Sequence, residues 1–82
     1  MNEKILYSCF CELVDDIINQ KELYNRTFEG RLGYKDAVAT LKRSILSISI
    51  SYNLCQTEYT EKFTDLHERL DVFYKSLKVI EE

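Results

Sequence analysis

The sequence predicts an all-α protein, a small antiparallel three-helix bundle that forms a single domain over residues 1–82. The chain has no proline and only two glycines, so it lacks the regularly spaced turn residues that an all-β domain needs. Its apolar residues recur mostly at intervals of three and four, which is the spacing of one helix face. A composition of 45% hydrophobic and 30% charged residues favours a folded protein over a disordered one.

The first helix is expected to begin near Asn2, because asparagine caps helix N-termini and Glu3 would then interact favourably with the helix dipole. Its apolar stripe consists of Leu6, Phe10, Leu13, Ile17 and Tyr24. We expect the helix to end around Thr27 to Glu29. The segment GRLGY that follows is typical of a tight turn, with Gly30 in the left-handed conformation just past a helix end.

Residues 43–55, RSILSISISYNLC, alternate apolar and polar residues as a strand does. A helical pattern with gaps of four and three accounts for more positions: Tyr34, Val38, Leu41, Ile45, Ile48, Tyr52, Cys55 and Tyr59. The segment is therefore predicted to be helical.

The heptad phase slips by one residue at Tyr59, which places a break between the second and third helices near Asn53 to Thr57. The third helix is expected to carry the apolar residues Tyr59, Phe63, Leu66, Leu70, Phe73, Leu77 and Ile80. The alternative is a helical hairpin with one unbroken C-terminal helix from about 34 to 80, which would have to dimerise to bury its apolar face.

A narrow row of small side chains lies beside the apolar seam of the second helix. Its members are Thr40, Ser44, Ser47 and Ser51, and they are called the small-residue row below. Small side chains let another helix approach closely, so we predict that a helix lies against the row, from this chain or from a second copy. The alternative is that the hydroxyls face water or bond back to the preceding turn.

Aromatic and basic residues cluster around the predicted turn. This turn patch consists of Tyr24, Arg26, Phe28, Arg31 and Tyr34. Because tyrosine and arginine are favoured at binding hot spots, the turn patch is a candidate protein-binding surface. The alternative is that its rings cover the end of the bundle.

No residues of the chain form a recognisable catalytic or metal-binding motif. Cys9 and Cys11 are two apart on a helix and point to nearly opposite sides, while Cys9 and Cys55 fall on apolar stripes and are expected in the core. His67 lies among acidic residues and is expected to be solvated. We therefore expect no catalytic residue, no metal, no cofactor and no enzymatic activity.

The net charge of −3 is unevenly distributed: residues 1–20 carry −3, residues 21–43 carry +3 and residues 44–82 carry −3. An acidic chain is not expected to bind nucleic acid by bulk electrostatics. The longest apolar stretches are too short for a membrane span, so no direct membrane insertion is expected. Without a visible secretion signal, and with an odd number of cysteines, the chain is expected in the cytoplasm.

The N-terminal half, MNEKILYSCFCELVDDIINQKELYNRTFEGRLGYKDAV, and the length of the chain resemble the small cytoplasmic lysis-inhibition proteins, or antiholins, of T-even-type phages. The resemblance implies a non-enzymatic regulator in the host cytoplasm that binds the cytoplasmic part of a holin and delays lysis. It carries no motif from which functional residues transfer. The expected partner is another protein, and a homodimer is a further expectation.

Two other functions remain open from the sequence. One is inhibition of a host nucleic-acid enzyme by acidic helix faces that mimic phosphates, through Asp15, Asp16, Asp65 and Glu68. The other is a small DNA-binding regulator that uses the basic residues of the middle segment: Lys21, Arg26, Arg31, Lys35, Lys42 and Arg43.

Overall fold

A computed structural model of the chain describes residues 2–24, 26–55 and 57–77. In these ranges every regular element is a helix, in the order α1 (Glu3–Asn19), α2 (Lys21–Tyr24), α3 (Phe28–Cys55) and α4 (Tyr59–Ser76). The prediction of an all-α helical bundle is confirmed. Since α2 is a single turn, the bundle consists of three long helices.

Helix α1 begins where the sequence predicts. The side chain of Asn2 accepts hydrogen bonds from the backbone N–H groups of Lys4 (3.0 Å) and Ile5 (3.3 Å), as expected of a capping residue. The helix ends at Asn19, well before the predicted end at Thr27 to Glu29. At Gln20 the chain bends and then continues through α2, which places Tyr24 beside the start of α3.

The predicted turn at GRLGY is wrong, because these residues lie in the first turns of α3. The hydroxyl of Thr27 accepts a hydrogen bond from the Gly30 N–H (2.9 Å) and so caps a helix that begins at Phe28. Gly30 is required there for close approach. A Cβ atom at this position would lie 2.8 Å from the Tyr24 carbonyl oxygen.

The segment RSILSISISYNLC is helical, as predicted, and the predicted break between the second and third helices is confirmed. Helix α3 ends at Cys55 and α4 begins at Tyr59, so the alternative of one unbroken helix is wrong. The two helices pair antiparallel. Lys42 contacts Asp71 near one end, and Tyr52 stacks on Phe63 near the other. The predicted continuation to Ile80 falls outside the described residues.

Helix α1 runs parallel to α4, since Tyr7 contacts Tyr59 and Phe63 while Asp15, two turns later, pairs with Arg69. The three helices therefore follow an up-down-up path, in a body of 47 × 18 × 15 Å. Helix α3 has 28 residues and spans about 42 Å at the usual rise, so it is considerably longer than either neighbour.

The core lies along the line where the three helices meet. Its largest fully buried side chains are Phe63, Ile45, Leu70, Val14 and Val38. The expectation that Cys9 and Cys55 are core residues is wrong, because both are exposed. Val14 marks the buried face of α1, which Cys9 does not share, and Cys55 is the last residue of α3.

Candidate protein-binding groove

An open groove separates α1 from α3. Its larger section has a volume of about 550 Å³ and is lined by Leu13, Asp16, Ile17, Gln20, Ala37, Thr40, Leu41 and Ser44. A smaller section of about 300 Å³ is lined by Ile17, Gln20, Tyr24, Gly30, Gly33, Tyr34 and Ala37. Because Ile17, Gln20 and Ala37 line both sections, the two form one continuous feature, the α1–α3 groove.

Small residues on α3 leave this space open. The residues concerned follow one another at intervals of three or four and so share one helix face: Gly30, Gly33, Ala37, Thr40 and Ser44. A Cβ atom on Gly33 would meet no heavy atom within 4 Å. Helix α1 packs more extensively on α4 than on α3, so it does not fill the gap beside this face.

The groove has an apolar floor and one acidic edge. Ile17 and Leu41 are half-buried at its base, whereas Leu13 remains 49% exposed. Asp16 lines the edge formed by α1, and Glu12, one turn earlier, is also exposed. The groove is open to solvent, which suits a helix laid into it better than an enclosed small molecule.

Tyr34 connects the groove to the core. Its hydroxyl donates a hydrogen bond to the carbonyl of Ile17, and its ring meets Phe73 edge to face. Burial raises the pKa of the Tyr34 hydroxyl above its ordinary value. Tyr24 stacks on the same ring at 5.5 Å and remains 43% exposed. Tyr34 thus covers the end of the bundle, as the alternative interpretation proposed, and Tyr24 forms the accessible surface above it.

The turn patch does not form a single surface around the groove. Tyr24 and Tyr34 line the groove, but Arg26 and Arg31 do not. Arg26 is exposed and Arg31 is half-buried. The side chain of Phe28 lies outside the described part of the structure.

The small-residue row is exposed. The hydroxyls of Thr40, Ser44 and Ser51 each donate a hydrogen bond to a carbonyl one turn earlier: to Asp36 (2.9 Å), Thr40 (3.1 Å) and Ser47 (3.1 Å), respectively. The bonding that the alternative interpretation proposed is therefore present. Within this chain, α1 lies beside Thr40 and Ser44 without covering them, so no described helix of this chain lies directly against these two residues. Contact with a second copy stays a prediction.

Sequence reasoning missed the rest of the wall. The sequence pattern places Gly33 in a turn and Leu41 in the core, and it indicates no role for Ala37. The signal was present, because the spacing of the small-residue row continues backwards from Thr40 through Ala37 and Gly33.

The acidic residues of the inhibitor hypothesis lie on more than one face. Asp16 lines the α1–α3 groove, whereas Asp15 pairs with Arg69 of α4 at 2.7 Å. A basic side chain therefore interrupts the acidic surface that a phosphate mimic would need.

Two of the basic residues of the middle segment, Lys35 and Lys42, contact side chains of α4. Lys42 pairs with Asp71, and both Lys35 and Lys42 lie over the ring of Tyr74. In residues 2–24, 26–55 and 57–77, no group of three histidine, cysteine or acidic side chains converges to hold a metal ion.

None of the helices in the described part of the chain is long and apolar enough to cross a membrane.

Comparison with protein-family models, with curated proteins and with solved structures finds no match. The groove itself is therefore the basis from which function is inferred.

Proposed function

We infer that the protein is a non-enzymatic cytoplasmic regulator that binds a helix of another protein in the α1–α3 groove. The observation that carries the proposal is the open apolar floor of the groove, with Leu13 and Tyr24 partly exposed beside it. Exposed apolar surface arranged in a groove is the usual receptor for an amphipathic helix.

The dimensions and charge of the groove define the occupant. From Gly30 to Ser44 the wall of α3 is about 21 Å long at 1.5 Å per residue, which matches roughly four turns of a docked helix. Such a helix would place apolar side chains on the floor. Its exposed edge would carry lysine or arginine opposite Asp16 and Glu12.

The resemblance to antiholins supports a specific form of this function. In that form the protein acts in the cytoplasm of an infected host, and the docked helix belongs to the cytoplasmic part of a phage holin. Binding would keep the holin from triggering lysis, and no chemical step would be involved.

Lysis timing tests the proposal. The chain is co-expressed with a T-even-type holin, and culture turbidity is followed. We expect the wild type to delay lysis, and the groove variants Leu13→Glu and Gly33→Leu to lose the delay. The first places a charge on the apolar rim, and the second fills space that is open in the wild type. Val72→Glu is the matched control, because Val72 is 70% exposed on α4 and does not line the groove.

A binding measurement separates the general proposal from its specific form. Titration calorimetry with the purified cytoplasmic segment of the holin should show at least about tenfold weaker binding for both groove variants, or roughly 1.4 kcal/mol. Equal affinity for wild-type and groove variants would contradict the groove as the binding site. Absence of both binding and delay in the wild type would contradict the antiholin form.

A further inference from the structure

Helix α3 carries a second apolar surface away from the groove. Leu46, Ile50 and Leu54 are 42%, 55% and 81% exposed, and their spacing of four places them along one side of the helix. We call them the outer stripe. Positions 46, 50 and 54 lie on a different helix face from Ala37 and Ser44, so the outer stripe is separate from the groove.

The two ends of the outer stripe carry opposite charges. Arg43 precedes Leu46 by one turn, is exposed and lies near the Thr40 hydroxyl at 3.4 Å. Beyond Leu54, Glu58 and Glu61 are both exposed and line a surface hollow at the start of α4. The surface is therefore basic at one end, apolar in the middle and acidic at the other end.

A surface with this order of charges is complementary to itself when one copy is turned end to end. We propose that the outer stripe is the interface of a homodimer, in which the α3 helices of two copies pair antiparallel about a twofold axis at Ile50. Ile50 then meets Ile50 of the second copy, and Leu46 meets Leu54. Such an isologous contact closes on itself as a dimer.

Charge selects the antiparallel direction and the register. Arg43 lies two turns before Ile50 on α3, and Glu58 lines the same hollow as Asn53, at the C-terminal end of that helix. In the antiparallel pair, Arg43 of each copy therefore approaches Glu58 of the other. In a parallel pair, Arg43 would approach Arg43 and Glu58 would approach Glu58, so that like charges would repel at both ends.

The exposed alcohols beside the stripe permit this approach. Ser47 and Ser51 are small, and the Ser51 hydroxyl is already bonded to the Ser47 carbonyl at 3.1 Å. A second helix can therefore lie close to this side of α3 without leaving the Ser51 donor unsatisfied. This part of the small-residue row would then contact a helix of the second copy.

Sedimentation equilibrium of the full chain tests the dimer. The wild type, with a mass of 9.7 kDa, should sediment with twice that mass as its concentration rises from micromolar to millimolar. Ile50→Glu should shift the chain to monomer over the same range. Val72→Glu, which introduces the same charge at an exposed valine of α4, should leave the dimer intact.

Charge reversal tests the register. Arg43→Glu alone and Glu58→Arg alone should each raise the dissociation constant at least tenfold, and the double variant should restore the wild-type value. Circular dichroism should show that each variant is folded. A wild type that remains monomeric at millimolar concentration would overturn the dimer. A double variant that is no tighter than the single variants would overturn the antiparallel register.

Discussion

Gly30 and Gly33 lie one turn apart in α3 but have different surroundings. The α-carbon of Gly30 faces the end of α2, where an added Cβ would lie 2.8 Å from both the Tyr24 carbonyl oxygen and the Thr27 hydroxyl. Gly33 faces the open groove, where an added Cβ would meet nothing within 4 Å. The same substitution at the two positions therefore has opposite consequences.

We expect Gly33→Ala to stabilise the protein by about 0.5–1 kcal/mol, because alanine loses less backbone entropy than glycine in a helix. Gly30→Ala should destabilise it, since a carbonyl oxygen of the backbone would have to move. Urea unfolding followed by circular dichroism measures both changes. If Gly30→Ala were as stabilising as Gly33→Ala, the close contact between α2 and α3 would be contradicted.

The pairing of α3 with α4 includes an ionic cluster at the surface. The carboxylate of Asp71 accepts hydrogen bonds from Lys42 of α3 at 2.8 Å and from Lys75, one turn along α4, at 3.0 Å. The Lys42 ammonium also lies 4.3 Å from the centre of the Tyr74 ring. The cluster thus joins the two helices at the end away from their connecting loop.

These lysines lower the pKa of Asp71 to about 2, with the hydrogen bond from Lys42 as the largest cause. The pKa of Asp71 in the folded state lies below its ordinary value of about 3.9. Asp71 therefore contributes stability that is fully present when the pH is above this ordinary value. This contribution is lost as the pH falls toward the folded-state pKa of about 2. The melting temperature of Asp71→Asn should therefore be lower than that of the wild type at pH 7. The difference should disappear toward pH 2.

Two further variants check the cause. In Lys42→Met, an NMR titration should find the pKa of Asp71 closer to its ordinary value. Asp36→Asn should shift the melting temperature little at either pH, because Asp36 is exposed and forms no ion pair within the described ranges. A difference for Asp71→Asn that persisted unchanged at pH 2 would contradict this account.

Element boundaries were predictable where a local side chain determines them. Asn2 caps α1 through its side-chain amide oxygen, and the phase slip at Tyr59 marks the break before α4. The start of α3 was missed because glycine is a weak helix former and GRLGY resembles a turn. The Thr27 cap and the packing of Gly30 on α2 outweigh that preference.

The groove was less predictable because it depends on how the helices pack. The spacing of Thr40 and Ser44 indicated a helix-contact surface, but not that α1 would leave it partly open by packing more extensively on α4. The same packing decides that Leu13, a member of the predicted apolar stripe, is half exposed.

The molecule as a whole is elongated, so its core is a narrow line of side chains. Phe63 of α4 lies at the centre of an aromatic cluster. It meets Tyr7 and Phe10 of α1 edge to face and stacks on Tyr52 of α3 at 5.4 Å. One fully buried side chain therefore contacts all three long helices, and its loss should weaken the bundle as a unit.

We expect Phe63→Ala to cost about 3–5 kcal/mol, as is usual for a buried phenylalanine. This is a large part of the stability of a chain of this length, on the order of 5–10 kcal/mol. Phe63→Leu should cost less and remain folded, because leucine fills more of the cavity. Val72→Ala, at an exposed position of the same helix, should stay within about 0.5 kcal/mol of the wild type. Urea unfolding at 222 nm gives the free energies, and thermal unfolding followed by tyrosine fluorescence shows whether the three helices melt together. If Phe63→Ala cost no more than Val72→Ala, or if one helix melted separately in the wild type, a single core centred on Phe63 would be contradicted.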